Sequence, residues 1–144
     1  MSYVFLDRRA HDDLVSHARD AAPAECCGLL VGAGDLVAEA VRARNVAADP
    51  NRFEIDPADH IQARRGARRR ALEVVGFYHS HPRSPATPSA TDLAEASYPG
   101  DLYLIVSLTV EPADVRLYRL EAGAFQDVPW TYRESSQYKV ESSK

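Results

Sequence analysis

Two histidines separated by one residue, His79 and His81, close the apolar run Val74-Val75-Gly76-Phe77-Tyr78, and Ser89 and Asp92 follow a short loop later. Imidazole nitrogen and carboxylate oxygen are the donors that catalytic zinc takes, and a set of three leaves one coordination position open for water or substrate. The β-branched and aromatic run predicts a buried strand. Along a strand, residues i and i+2 share a face, so His79 and His81 point one way and Ser80 the other. Pro82 has no N–H to give and ends the ladder. Thr87-Pro88 predicts a helix start, with a hydroxyl N-cap and proline at the first helical position, and Ala90, Leu93, Ala94 and Ala96 continue it. Ser89 and Asp92, three apart, then share a face of the first turn. His79, His81 and Asp92 form a candidate metal-ligand set. The Ser89–Asp92 spacing also fits a Ser-x-x-Asp capping box, and a His-x-His pair alone is weak evidence of a metal. A further carboxylate, Glu25, stands just ahead of the apolar run Cys26–Val31. Position alone leaves it either a solvated group at a strand entry or a general base facing the metal.

The flanking elements must hold these residues in place. Tyr3–Leu6 predicts a first strand, and Asp7 can cap a helix running to about Ala21, with Ala10, Leu14, Val15 and Ala18 on its apolar stripe. His11 and His17 lie on that helix without partners at ligand spacing, and read as surface or hydrogen-bonded histidines. Pro23 stops the helix. Cys26–Val31 is a continuous apolar strand, Gly32-Ala33-Gly34-Asp35 a turn, and Leu36–Ala43 the returning arm of a hairpin. A loop over 45–57 has Phe53 and Ile55 to pin it to the core. Pro57 opens a second helix to about Arg70, anchored by Ile61 and by Leu72 beyond it. That helix carries Arg64, Arg65, Arg68, Arg69 and Arg70, a run that reads as a solvated face or as a docking surface for an acidic partner. Tyr98-Pro99-Gly100 is a turn, Leu102–Leu108 another buried strand, and Val115–Leu120 with Phe125–Thr131 a closing hairpin around Ala122-Gly123. The segment from Arg133 reads as a frayed tail, so the expected division is one domain over 1–132 and a flexible tail over 133–144.

With 144 residues, 45% of them hydrophobic and 26% charged, the chain has the size and composition of one globular domain. A net charge of −4 gives no global signal for nucleic acid or an anionic membrane. No apolar run approaches the roughly 20 residues that span a bilayer, and the start of the chain lacks a signal peptide's pattern, so the expected compartment is the cytoplasm. Cys26 and Cys27 are adjacent, which disfavours a disulfide between them, and they read as reduced, small apolar strand residues. Two thiols are too few for a cysteine-rich structural zinc site.

His79-x-His81-Pro82, six residues, Ser89, two residues, Asp92, together with Glu25 ahead of a Gly-containing apolar strand (Cys26-Cys27-Gly28-Leu29-Leu30-Val31-Gly32), resembles the JAMM (MPN+) metallopeptidases. The resemblance runs from about Val4 to Trp130 and is closest to the small prokaryotic members. It implies an α/β fold: a single MPN domain with a mixed, curved sheet flanked by helices, related to the cytidine-deaminase architecture. It also implies zinc on His79, His81 and Asp92, Glu25 as general base, and Ser89 as donor to the oxyanion. The implied substrate is a ubiquitin-like sulfur-carrier protein, hydrolysed at a peptide or isopeptide bond after its Gly-Gly tail, for example to release cysteine. The oligomeric state is not legible, and a homodimer stays open. The rival reading is a non-catalytic MPN scaffold, against which stand the five filled chemical positions. A zinc deaminase is excluded, because the chain lacks the His-x-Glu and Pro-Cys-x-x-Cys pairs that chemistry uses.

Overall fold

The computed structural model describes residues 3–134. In order, these form β1 (Val4–Asp7), α1 (Arg8–Ala21), β2 (Cys27–Ala33), β3 (Leu36–Ala43), α2 (Pro57–Arg69), β4 (Glu73–His81), α3 (Ala90–Glu95), β5 (Leu102–Ser107), β6 (Asp114–Glu121), β7 (Ala124–Asp127) and β8 (Trp130–Arg133). The strands make one mixed sheet in the order β7-β6-β5-β4-β2-β3-β1-β8. The pairs β1–β3, β1–β8 and β4–β5 are parallel and the remainder antiparallel. The expected α/β architecture is the observed one. Among the described residues, no helix is long and apolar enough to cross a membrane.

Alternation along the central strands divides the interior in two. Cys26, Leu30, Tyr78, Leu104 and Val106 face α1, whose buried stripe is Ala10, Leu14, Val15 and Ala18, as its periodicity predicts. Cys27, Leu29, Val31, Phe77 and Tyr103 face α2 on the other side. The Asp7 side chain caps α1 by accepting from the Arg9 N–H at 2.8 Å. Gly28 pairs across the sheet with Tyr78, and a side chain there would collide with the Tyr78 ring. Both cysteines are buried and free.

Several expectations need correction. The β2–β3 turn is tighter than the four residues expected, because β2 continues through Ala33 and Gly34 takes the positive φ of 57° that the reversal requires. In α2, Ile61 is 51% exposed, and the helix instead buries Ala63 and Ala67. Small side chains let this helix lie close to the sheet, while Leu72 just beyond it does pack against the core. The closing hairpin is only half right. β7 pairs with β6, but Trp130–Arg133 crosses to the far edge and pairs in parallel with β1. Pro129 lies at the break, and its carbonyl accepts from the Val4 N–H. Arg133 therefore ends a strand rather than beginning a tail, and the expected tail beyond Glu134 lies outside the described residues.

Candidate metal centre

β4 is central, hydrogen-bonded to β2 on one side and β5 on the other, so its last residues are rigidly aimed. His79 and His81 are 3% and 5% exposed and point to the α2 side of the sheet, while Ser80 points to the α1 side. One donor atom from each of His79, His81 and Asp92 lies within 4.8 Å of the others. The two Nε2 atoms are 3.2 Å apart, His79 Nε2 is 3.2 Å from Asp92 Oδ1, and His81 Nε2 is 3.1 Å from Asp92 Oδ2. Each imidazole thus faces a different oxygen of the one carboxylate, and all three side chains are near enough to share a small cation. His81 is also set in the correct tautomer: its Nδ1–H donates to the Pro85 carbonyl at 2.7 Å, leaving Nε2 with its lone pair toward the cluster.

The loop that carries Asp92 is tied down by three successive carbonyls. Ser84 O accepts from Ser107 Oγ, Pro85 O from His81 Nδ1, and Ala86 O from Tyr118 Oη, each at 2.7 Å. α3 itself buries no side chain. Polar contacts hold it: Ser89 Oγ accepts from the Asp92 N–H at 3.0 Å, and Asp92 Oδ2 accepts from the Ser89 N–H at 2.9 Å. The N-cap is thus Ser89 rather than Thr87, and the helix begins at Ala90, with Pro88 before the cap. The Ser89–Asp92 spacing does make a capping box, and that box is compatible with Asp92 facing the imidazoles. The capping box orients the carboxylate, and the carboxylate faces the imidazoles.

Electrostatics fit a cation pocket. Burial holds the His79 imidazole below its ordinary pKa. Burial opposes protonation of His81 too, but the Asp92 hydrogen bond, the Pro85 carbonyl and the Asp92 and Glu25 charges raise it overall. For Asp92, burial is outweighed by hydrogen bonds to both imidazoles and to the Ser89 N–H, and its carboxyl stays well below the usual carboxylate range.

Glu25 lines the same cleft, about 380 Å³ in volume, with Phe53, His81, Ser89 and Asp92. Its Oε1 is buried without a hydrogen-bond partner among the described residues. Burial, reinforced by the Asp92 and Asp49 charges and opposed by His81, pushes its pKa up to about 7. An unpaired carboxylate oxygen in the wall of a polar cleft is a candidate for a contact with water or substrate. The structure brings all five sequence-predicted residues to one place. His11 and His17 are elsewhere, as expected: His11 pairs with Asp12 and His17 with the Tyr78 hydroxyl.

Sequence reasoning missed the supports. Phe53 does more than pin the loop; its ring stacks on the His79 imidazole at 4.3 Å. Asn45 uses its whole amide: Nδ2 donates to the Glu25 and Arg52 carbonyls, and Oδ1 accepts from the Ala47 and Glu54 N–H groups. It thereby joins the backbone of Glu25 to the loop that carries Phe53. Arg52 of that loop pairs with Glu95 of α3, both at the cleft. A lone Asn or Phe in a polar loop carries no periodic signal that could have marked these roles.

The sequence pattern of prokaryotic homologues of the JAB domain matches residues 7–121. The chain belongs to this family. It is 45% identical over 113 residues to the desampylase of Haloferax volcanii, covering 74% of this chain and 81% of that one. It is 32% identical over 120 residues to the CysO-cysteine peptidase of Mycobacterium tuberculosis, covering 81% and 82% of the two chains. A JAB1/MPN domain protein from Archaeoglobus fulgidus, 20% identical, superposes with a TM-score of 0.61 over 91% of this chain and all (100%) of that one, which shows the shared fold.

Proposed function

We propose that the protein is a zinc-dependent peptidase that hydrolyses the bond following the C-terminal Gly-Gly of a ubiquitin-like sulfur-carrier protein. That it is a hydrolase follows from its family and from similarity to proteins named desampylase and CysO-cysteine peptidase. The observation that carries the finer reading is the juxtaposition of three mutually close ligand side chains, His79, His81 and Asp92, with an unpaired, buried carboxylate oxygen of Glu25 in the same cleft. The name CysO-cysteine peptidase supports release of a terminal cysteine as one instance of the carrier-tail hydrolysis that the sequence resemblance implies.

His79, His81 and Asp92 would hold zinc, which would supply a Lewis acid for activating water and polarising a carbonyl. Glu25 takes the proton from the attacking water and passes it to the departing amine; a carboxyl titrating near neutrality suits both transfers. Ser89 has a lone pair committed to the Asp92 N–H, which leaves its O–H free to donate to the oxyanion that develops on the scissile carbonyl. Such a donor contributes about 2–4 kcal/mol. His81 and Asp92 are held by the Pro85 carbonyl and the Ser89 N–H, so the site needs little rearrangement.

The test is incubation of zinc-loaded protein with a ubiquitin-like carrier extended by one cysteine past Gly-Gly, read by intact mass. The expected result is loss of one cysteine residue, abolished by a chelator. A fully zinc-loaded protein that leaves every extended carrier intact overturns the proposal.

A further inference from the structure

The described surface has a strongly basic basin, away from the candidate metal centre. It lies between β3 and α2, about 750 Å³ in volume, and Arg42, Arg44, Arg65, Arg69 and Arg70 line it around Gly66, with Asp59 and Gln62 also at its wall. Three of these arginines are neutralised at home. Arg42 pairs with Asp20, Arg44 with Asp56 and Asp59, and Arg70 with Glu39. Arg65 and Arg69, with Arg68 beside them, are exposed and have no carboxylate partner among the described residues. Gly66 leaves the floor open: a side chain built there would come within 3.5 Å of the Arg70 guanidinium and 3.9 Å of that of Arg69. In a chain of net charge −4, three unpaired guanidiniums on the last turns of one helix are a local excess that folding alone does not require.

Their position gives the excess a use. α2 packs on the same face of the sheet as the metal centre, and its His60 touches the strand that ends in the two imidazoles. His60 lies edge-on to Phe77 at 5.5 Å, and the loop leading into α2 carries Phe53 onto His79. At about 1.5 Å rise per residue, Arg65 is about 12 Å and Arg69 about 18 Å along the helix from Pro57. An extended tail covers about 3.3 Å per residue, so about five residues bridge that distance.

We infer that the exposed arginines of α2, Arg65, Arg68 and Arg69, form a docking surface for an acidic face on the folded body of the carrier whose tail enters the metal cleft. This deepens the proposed function and rests on it. A protein fits better than a nucleic acid. The unpaired charges are few, and no Phe, Tyr or Trp lines the basin for a base to stack on, while its one imidazole, His17, is half-buried and bonded to the Tyr78 hydroxyl. Matched charges of this kind raise the rate of encounter and fix orientation, and their effect falls with salt.

The experiment compares the parent protein with a triple variant, Arg65→Glu, Arg68→Glu, Arg69→Glu, on two probes. One is a ubiquitin-like carrier with an acidic face, extended by one cysteine; the other is a short peptide of its tail sequence with the same extension. Docking predicts that kcat/KM for the carrier falls about tenfold in the variant, through KM, while kcat/KM for the peptide is unchanged. It also predicts that the parent's advantage on the carrier disappears at high salt. Lysines placed on the carrier's acidic face should restore the variant. Equal parent and variant values on the carrier overturn the proposal, and so does a parallel loss on the peptide, which places the effect in the cleft. If neither probe is cleaved by the zinc-loaded parent, the peptidase reading fails, and docking is decided separately by fluorescence anisotropy with a labelled, uncleaved carrier. Binding lost in the triple variant supports the surface. Binding that is absent, unchanged in the variant, or seen only with a single-stranded RNA oligonucleotide overturns it.

Discussion

Alternate residues of β4 lead opposite lives. On the α2 side, His79 and His81 meet Asp92 with their Nε2 atoms 3.2 Å apart. On the α1 side, Tyr78 and Ser80 are fully buried and serve the fold: the Tyr78 hydroxyl bonds His17 Nδ1 at 2.7 Å, and Ser80 Oγ accepts from the Cys26 N–H at 2.8 Å. Both faces contain a partly or wholly buried histidine, but the surroundings differ. Burial, with the nearby Arg42 charge, lowers the pKa of His17 to about 4, so it stays neutral and holds Tyr78. His79 and His81 share a carboxylate within hydrogen-bond reach, the one feature that converts buried imidazoles into a cation pocket. Even the structural face serves the site, because the Ser80 bond fixes the residue next to Glu25.

The sharpest way to break this contrast is to remove the carboxylate. Asp92→Ala should lose zinc and reduce peptidase activity by at least about a thousandfold, whereas Tyr78→Phe should keep zinc and activity and cost about 1 kcal/mol in a denaturant melt. A Tyr78→Phe protein that loses zinc would show that the two faces are not independent. Glu25→Gln should keep one zinc per chain while kcat falls about 10²–10⁴-fold, measured on a carrier extended past Gly-Gly. Ser89→Ala has two effects, a loss of about 10–10³-fold in kcat and about 1 kcal/mol from the lost cap. Ser89→Asp restores capping with a side chain that has no hydrogen to donate, so kcat should stay low as stability returns.

The smallest effect is on pH. Glu25 has a folded pKa of about 7, above its ordinary value of 4.5. Its protonated form is therefore favoured by folding, and the stabilisation present below pH 4.5 is lost as pH rises through 7. In metal-free protein, Glu25→Gln should be more stable than the parent at pH 8, by about 1 kcal/mol because the group is only half-buried, and no more stable at pH 4. Melts of both proteins across that range check the sign.

Much of this was legible in the sequence because it is local. The His79/His81 pair follows from strand alternation, and the Ser89–Asp92 pair from helix spacing. α1 follows from its apolar stripe. What was not legible depends on distant partners. Nothing in Trp130–Arg133 says that it leaves β6 to join β1, since an alternating strand fits either edge. Ile61 is the largest apolar residue of α2, yet close approach to the sheet selects Ala63 and Ala67 for burial. Proline after Thr87 mimics a helix start, but the reciprocal Ser89–Asp92 bonds place the cap two residues later. Asn45 and Phe53 act through contacts from a loop, where no period exists to reveal them.

The central claim is that His79, His81 and Asp92 hold one zinc ion, with Glu25 beside it but not on it. Zinc content of purified protein, by elemental analysis after equal loading and dialysis, tests it most directly. One zinc per chain is expected in the parent and in Glu25→Gln, and none in Asp92→Ala. Full zinc in Asp92→Ala, or none in the parent, would contradict it.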